Sequence, residues 1–82
     1  MKSIANETEL LENTGREIRA QMARTGLTGT TIAKEMGVDR NTVARWIDTG
    51  RMKLPQFLQI CRLIKVSPAK ILQLAIEASQ EK

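Results

Sequence analysis

The chain contains no histidine and no tyrosine, and only one cysteine, one tryptophan and one phenylalanine among its 82 residues. Without histidine there is no His-ligated zinc and no His-based catalytic triad. The single cysteine, Cys61, has no disulfide partner and cannot build a thiolate metal site; a lone thiol fits a reducing, intracellular setting. No glycine-rich phosphate loop is present. Nothing pairs the nine Asp and Glu residues into a carboxylate site, so no catalytic constellation emerges and no cofactor is expected. No apolar run approaches the ~18 residues that span a bilayer. The opening "MKSIANETEL" carries acids early and lacks the apolar core of a signal peptide. These absences lead us to expect a cytoplasmic, non-enzymatic protein, with no membrane attachment and no small-molecule ligand.

What remains is enough for one small domain. Apolar residues make up 41% of the chain, and Val, Ile and Thr never fall into alternating, strand-like runs. Only two prolines occur, Pro55 and Pro68, and each begins an apolar-periodic stretch, as at the first turn of a helix. The expectation is an all-α fold. The net charge is +4 and the sequence pI is about 9.7, which suits a polyanionic partner: nucleic acid first, an anionic membrane surface second.

Five helices are expected. The first ends near Thr25 and is closed by Gly26. Its start is open between two capping boxes, Asn6 with Glu9 and Thr14 with Glu17. An interior Gly15 would cost roughly 1 kcal/mol, so two pieces compete with one long helix. Thr28 caps the second helix, which buries Ile32, Ala33 and Met36 and ends at Gly37. Asp39 caps the third, whose stop is Gly50. "RMKL" follows as a basic loop. Pro55 opens the fourth helix, with Phe57, Ile60, Cys61 and Ile64 on one stripe. Ser67 caps the fifth.

The third helix, within "GVDRNTVARWIDTG", carries the pattern with most chemical content. At ~100° per residue, Val43, Trp46 and Ile47 form one apolar arc. Arg40, Asn41, Ala44 and Arg45 form the opposite one. Arginine pairs bidentately with guanine and asparagine with adenine, while a small alanine lets the helix approach a surface closely. The competing interpretation is a solvated basic face on an ordinary core helix. A helix of about eight residues stands before it across the short turn "MGVD", which makes the pair a helix-turn-helix.

In that register, "GLTGTTIAKEMGVDRNTVARWIDTG" resembles the helix-turn-helix of the phage lambda repressor and Cro family. Gly26, Leu27, Thr28, Ile32, Ala33, Met36, Gly37, Val38, Asp39, Thr42 and Val43 fit its pattern, and "ICRLIKVSPAKIL" resembles a later segment. The similarity covers roughly residues 15 to 75. The departures are Gly29 where the family often has Gln, Ile47 where an acid is common, Gly50 one place late, and Lys65 for a Gly. The resemblance implies a five-helix, lambda-repressor-like DNA-binding domain with its helix-turn-helix at helices two and three. It implies base reading by Arg40, Asn41, Ala44 and Arg45, and phosphate contact by Thr28, Thr30, Lys34, Arg51 and Lys53. A plain solvent-facing role competes for Lys34. The partners implied are double-stranded DNA and a second copy of the chain.

Three features complete the reading. Trp46 lies on the apolar arc, which favours core packing over stacking on a base. Cys61 occupies a small buried position, which favours an inert thiol over a redox switch. The last helix is apolar more widely than one core stripe needs, which points to a dimer surface around Ile71, Leu74 and Ala78, against an untidy terminal helix as the alternative. Residues 1–14 form an N-terminal arm or extra helix, and 15–82 the DNA-binding unit. The function expected is sequence-specific transcriptional regulation on a palindromic operator, as in phage, prophage or plasmid repressors in a bacterial cell. The rival is an antitoxin or other module that uses the same fold to hold a protein.

Overall fold

In a computed structural model, which describes residues 6–80, five helices follow one another: α1 (Glu7–Thr25), α2 (Gly29–Met36), α3 (Arg40–Thr49), α4 (Leu54–Leu63) and α5 (Pro68–Gln80). The all-α architecture matches expectation, and no strand occurs among the described residues. Residues 1–5 of the expected arm lie outside the described residues.

The first helix starts at the earlier of its two candidate caps and runs without a break. Asn6 Oδ1 accepts from the Glu9 N–H at 2.8 Å, and Glu7 and Glu9 place negative charge in the first turn, where the helix dipole favours it. Thr14, the rival cap, lies inside the helix, where its hydroxyl donates back to the Leu10 carbonyl at 2.9 Å. Gly15 is tolerated because it is needed there: a Cβ at this position would collide with the Ile47 carbonyl oxygen at the end of α3. A second contact of the same kind lies nearby. Gly50, left-handed with φ +71°, brings its α-carbon against the backbone of Leu11, which a side chain would strike. The two glycines allow α1 and the C-terminal end of α3 to meet backbone to backbone.

The core is formed by Ile18 and Met22 of α1, Ile32 and Ala33 of α2, Val43 and Ile47 of α3, Phe57, Ile60 and Cys61 of α4, Ile64 just beyond it, and Ile71 of α5. Leu27, Met36, Val38, Trp46 and Met52 pack around it. One polar link is buried within this apolar set. Asn13 Nδ2 donates to Ser79 Oγ at 2.9 Å, and Ser79 Oγ in turn donates to the Ala75 carbonyl at 3.2 Å. The Asn13 amide oxygen accepts from Arg16 Nη1 at 2.7 Å. The N-terminal half of α1 is thereby tied to α5, with each buried polar group satisfied.

Lys65, which stands where the resembling family has Gly, adopts the left-handed conformation at φ 59°. The turn closes α4 all the same, with Val66 N–H donating to the Cys61 carbonyl at 3.0 Å and Lys65 N–H to the Arg62 carbonyl at 3.2 Å.

Candidate nucleic-acid interface

The α2–α3 pair is built by its caps. Thr28 Oγ1 accepts from the Thr31 N–H at 3.2 Å, starting α2. Gly37, left-handed at φ 70°, ends it, and Val38 N–H reaches back to the Ala33 carbonyl at 3.0 Å while its side chain packs on the core. Asp39 Oδ2 accepts from the Asn41 N–H at 3.2 Å, which fixes the first turn of α3. Three residues therefore separate the helices, and each has a structural task.

The third helix divides as its wheel predicts. Val43 and Ile47 are buried and Trp46 is half-buried, whereas Arg40, Asn41, Ala44 and Arg45 are exposed. The side chains of Arg40, Asn41 and Arg45 make no hydrogen bond or ion pair among the described residues. Donors that are exposed, convergent and without an internal partner are what a groove reader requires. Trp46 combines two environments. It packs against the core, and it also lines an open groove of about 480 Å³ with Leu11, Gly50, Arg51, Met52, Lys53 and Gln56.

The residues expected at phosphate are exposed as well: Thr28, Thr30, Lys34, Arg51 and Lys53. The Thr28 hydroxyl is occupied as a cap and also lies 3.1 Å from the Thr31 hydroxyl. Arg51 and Lys53 are held through their backbones, which leaves their side chains available. Arg51 N–H donates to Thr49 Oγ1 at 3.1 Å, and Lys53 N–H to Gln56 Oε1 at 2.9 Å.

One charged pair beside this face escaped the sequence reading. Asp48 falls at roughly 80° on the α3 wheel, between Ala44 and Arg45. Its Oδ1 pairs with Arg19 Nη2 of α1 at 2.5 Å. The wheel alone could have placed Asp48 on the polar arc. Its partner, 29 residues away, needed the fold.

One residue of the expected dimer surface requires correction. Ile71 is 1% exposed and belongs to the core of its own chain, because α5 turns this position onto the interior. Leu74 and Ala78 are half-buried. Among the described residues, the large apolar side chains left outside are Leu54, Leu58 and Leu72, at 64%, 45% and 41% exposure. Leu54 and Leu72 together border a small apolar hollow of about 210 Å³, floored by Leu11, Met52 and Phe57.

Cys61 is fully buried, and burial away from water pushes its thiol pKa up from 9.0 to about 11. Among the described residues, no group of three or more His, Cys, Asp or Glu is placed to hold a metal ion, and no helix is long and apolar enough to cross a membrane.

The paired helices α2 and α3 have the helix-turn-helix arrangement. The family model of a homeodomain-like domain matches residues 16–49, from the interior of α1 to the end of α3. That span, under half of the chain, supports a DNA-binding helix-turn-helix family, a class typically without enzymatic activity, and does not single out the lambda repressor and Cro type. No curated protein and no solved structure matches the chain.

Proposed function

We propose that the chain is a sequence-specific transcriptional regulator that binds double-stranded DNA as a homodimer on a palindromic site. The observation that carries this is the exposed arc of α3. Arg40, Asn41 and Arg45 surround Ala44 and lack internal partners, while the opposite face of the same helix is locked into the core. In this reading Arg40, Asn41 and Arg45 read base edges, and Thr28, Thr30, Lys34, Arg51 and Lys53 hold the backbone. Residues 15–82 form the binding unit, and residues 7–14 brace it by extending α1 along α5. The protein is cytoplasmic and takes no ligand or cofactor. Its similarity to lambda-type repressors suits a phage, prophage or plasmid regulator. Dimerisation uses the outer side of α4 and α5, centred on Leu72, Leu54 and Leu58, with Leu74 and Ala78 as further candidates.

Selection of bound duplexes from a random pool, followed by footprinting, tests the reading. Two related half-sites about one helical turn apart are expected; a single asymmetric footprint contradicts the dimer. Arg45→Ala should cost ~1–3 kcal/mol on the selected duplex and flatten preference at one base pair per half-site. Lys53→Ala should weaken all sequences alike. If neither changes affinity for DNA, the basic arc is only a solvated surface.

A second reading is favoured by the exposed leucines beside their apolar hollow. A partner protein, such as the toxin of a toxin–antitoxin pair, would cover them as well as a second copy would. A chain that stays monomeric at tens of micromolar, and is captured by the product of an adjacent gene, moves that reading ahead.

A further inference from the structure

Two separate grooves border α3. One, lined by Trp46, Arg51, Lys53 and Gln56 among others, runs along the loop after the helix. The other, of about 290 Å³, is lined by Glu12, Arg16 and Arg19 of α1 and by Ile47 and Asp48 of α3. A helix seated in the major groove has a phosphate strand on each side of it. The sequence supplied cations for the loop flank and none for the α1 flank.

Within the second groove, Arg19 is set apart from its neighbours. Arg16 is turned toward Asn13, whose amide oxygen it holds at 2.7 Å. Arg19 is 62% exposed, and its Nη2 alone is engaged, on Asp48 Oδ1. A guanidinium has five donors in a rigid fork, so one arm fixed on Asp48 leaves the rest presented outward beside the reading face. An unpaired carboxylate at Asp48 would repel a passing strand; paired, it serves as an anchor.

We propose that Arg19 is a phosphate ligand on the α1 flank of α3, and that Asp48 is its positioning residue. This rests on the DNA-binding reading above. The two helices then grip the strand as a unit, and the pair belongs to the interface rather than to fold stability. An exposed ion pair contributes little to stability, so loss of either partner leaves the melting temperature near that of the parent.

The size of the effect follows from counterion release. One phosphate contact carries a salt exponent of about 0.9, so at ~0.1 M salt it is worth about eightfold relative to ~1 M. Arg19→Ala should therefore weaken every duplex by about that factor per contact at ~0.1 M and lower the salt exponent by about one per subunit. Asp48→Asn gives the discriminating sign. Removing one negative charge ~8 Å from a phosphate strengthens binding by about 1.4-fold to fourfold at ~0.15 M salt. Releasing a positioned arginine weakens it by more.

The experiment measures affinity across a salt series with the full chain and two fluorescent probes, a random-sequence duplex and the duplex that the parent chain selects from that pool. The variants are Arg19→Ala, Asp48→Asn, the double change and Arg45→Ala, each first shown to melt with the parent. Weaker binding by both single variants on both probes, with the double no worse than Arg19→Ala, supports the proposal. If Arg45→Ala loses affinity while Arg19→Ala keeps affinity and salt slope, the DNA reading stands and the proposal falls. Tighter binding by Asp48→Asn overturns the positioning role. If Arg45→Ala and Arg19→Ala are both inert, the DNA reading and the proposal fall together.

Discussion

Gly15→Ala sets two physical arguments against each other, because they differ in sign. Viewed as an isolated helix, α1 gains from the change: alanine is better than glycine in a helix interior by roughly 1 kcal/mol. Viewed in the fold, the new methyl group has no space. It meets the Ile47 carbonyl oxygen, which is backbone and cannot rotate aside as a flexible side chain would. The relief available is to part α1 from α3. An opening on the order of 1 Å forfeits a quarter to a half of each dispersion contact across that seam, and Ile18 and Met22 of α1 share one core with Val43 and Ile47 of α3. Overpacking of a core by one methyl group costs about 1–3 kcal/mol where side chains can adjust, and an immovable carbonyl places this site at the upper end. After the propensity gain, a net loss of roughly 2 kcal/mol is expected. For a domain of this size that lowers the melting temperature by about 8–16 °C. Circular dichroism melts of the parent and Gly15→Ala measure it, with Gly29→Ala as a comparison, since a Cβ at Gly29 meets only open space. Gly29→Ala should melt at or slightly above the parent. If Gly15→Ala also melts at or above the parent, the close approach of α1 to α3 is not as described.

Other consequences follow from single sites. Lys65→Gly should raise stability by roughly 0.5–1 kcal/mol, since a left-handed non-glycine residue costs about 1–2 kcal/mol and part of the gain is lost to the freer unfolded chain; a urea titration reads this as a higher midpoint at unchanged slope. Asn13→Ala should cost about 1–3 kcal/mol by breaking the buried link to Ser79, and the loss should persist at high salt, as it would not for a surface ion pair. Cys61 should resist thiol reagents at pH 8 until the chain unfolds. Its thiol is raised to about 11 in the fold from 9.0, so its contribution is complete below pH 9 and is lost as pH rises from there to about 11; the stability difference between the parent and Cys61→Ala should shrink across that window. Leu72→Glu should yield a folded monomer by sedimentation if α4 and α5 make the dimer, and no change in a parent that is already monomeric would remove that surface from the model of function.

The part of this molecule legible in the sequence is the part governed by local rules. Thr28, Gly37, Asp39 and Gly50 mark helix ends because each satisfies or terminates a nearby backbone group, and the structure places all four at those ends. The α3 wheel sorts Val43 from Arg45 because angular position depends only on sequence spacing. What escaped depends on distance between helices. Gly15 reads as a helix breaker until Ile47 is seen against it; the apparent defect is the condition for α1 and α3 to touch. Ile71 reads as surplus apolar surface until its side chain is found inside the core, which moves the unburied surface to Leu54, Leu58 and Leu72. Residues 7–14 have no counterpart in the lambda-type pattern, yet Asn13 ties them to α5 through a single buried amide. The same limit explains Arg19. On its own helix it is one more solvated cation, and only its approach to Asp48 distinguishes it from Arg24 on the last turn of α1. Polar side chains that act across helices are therefore where sequence reasoning stops and geometry has to take over. In this chain the Arg19–Asp48 pair, on which the proposed phosphate contact rests, is one of them.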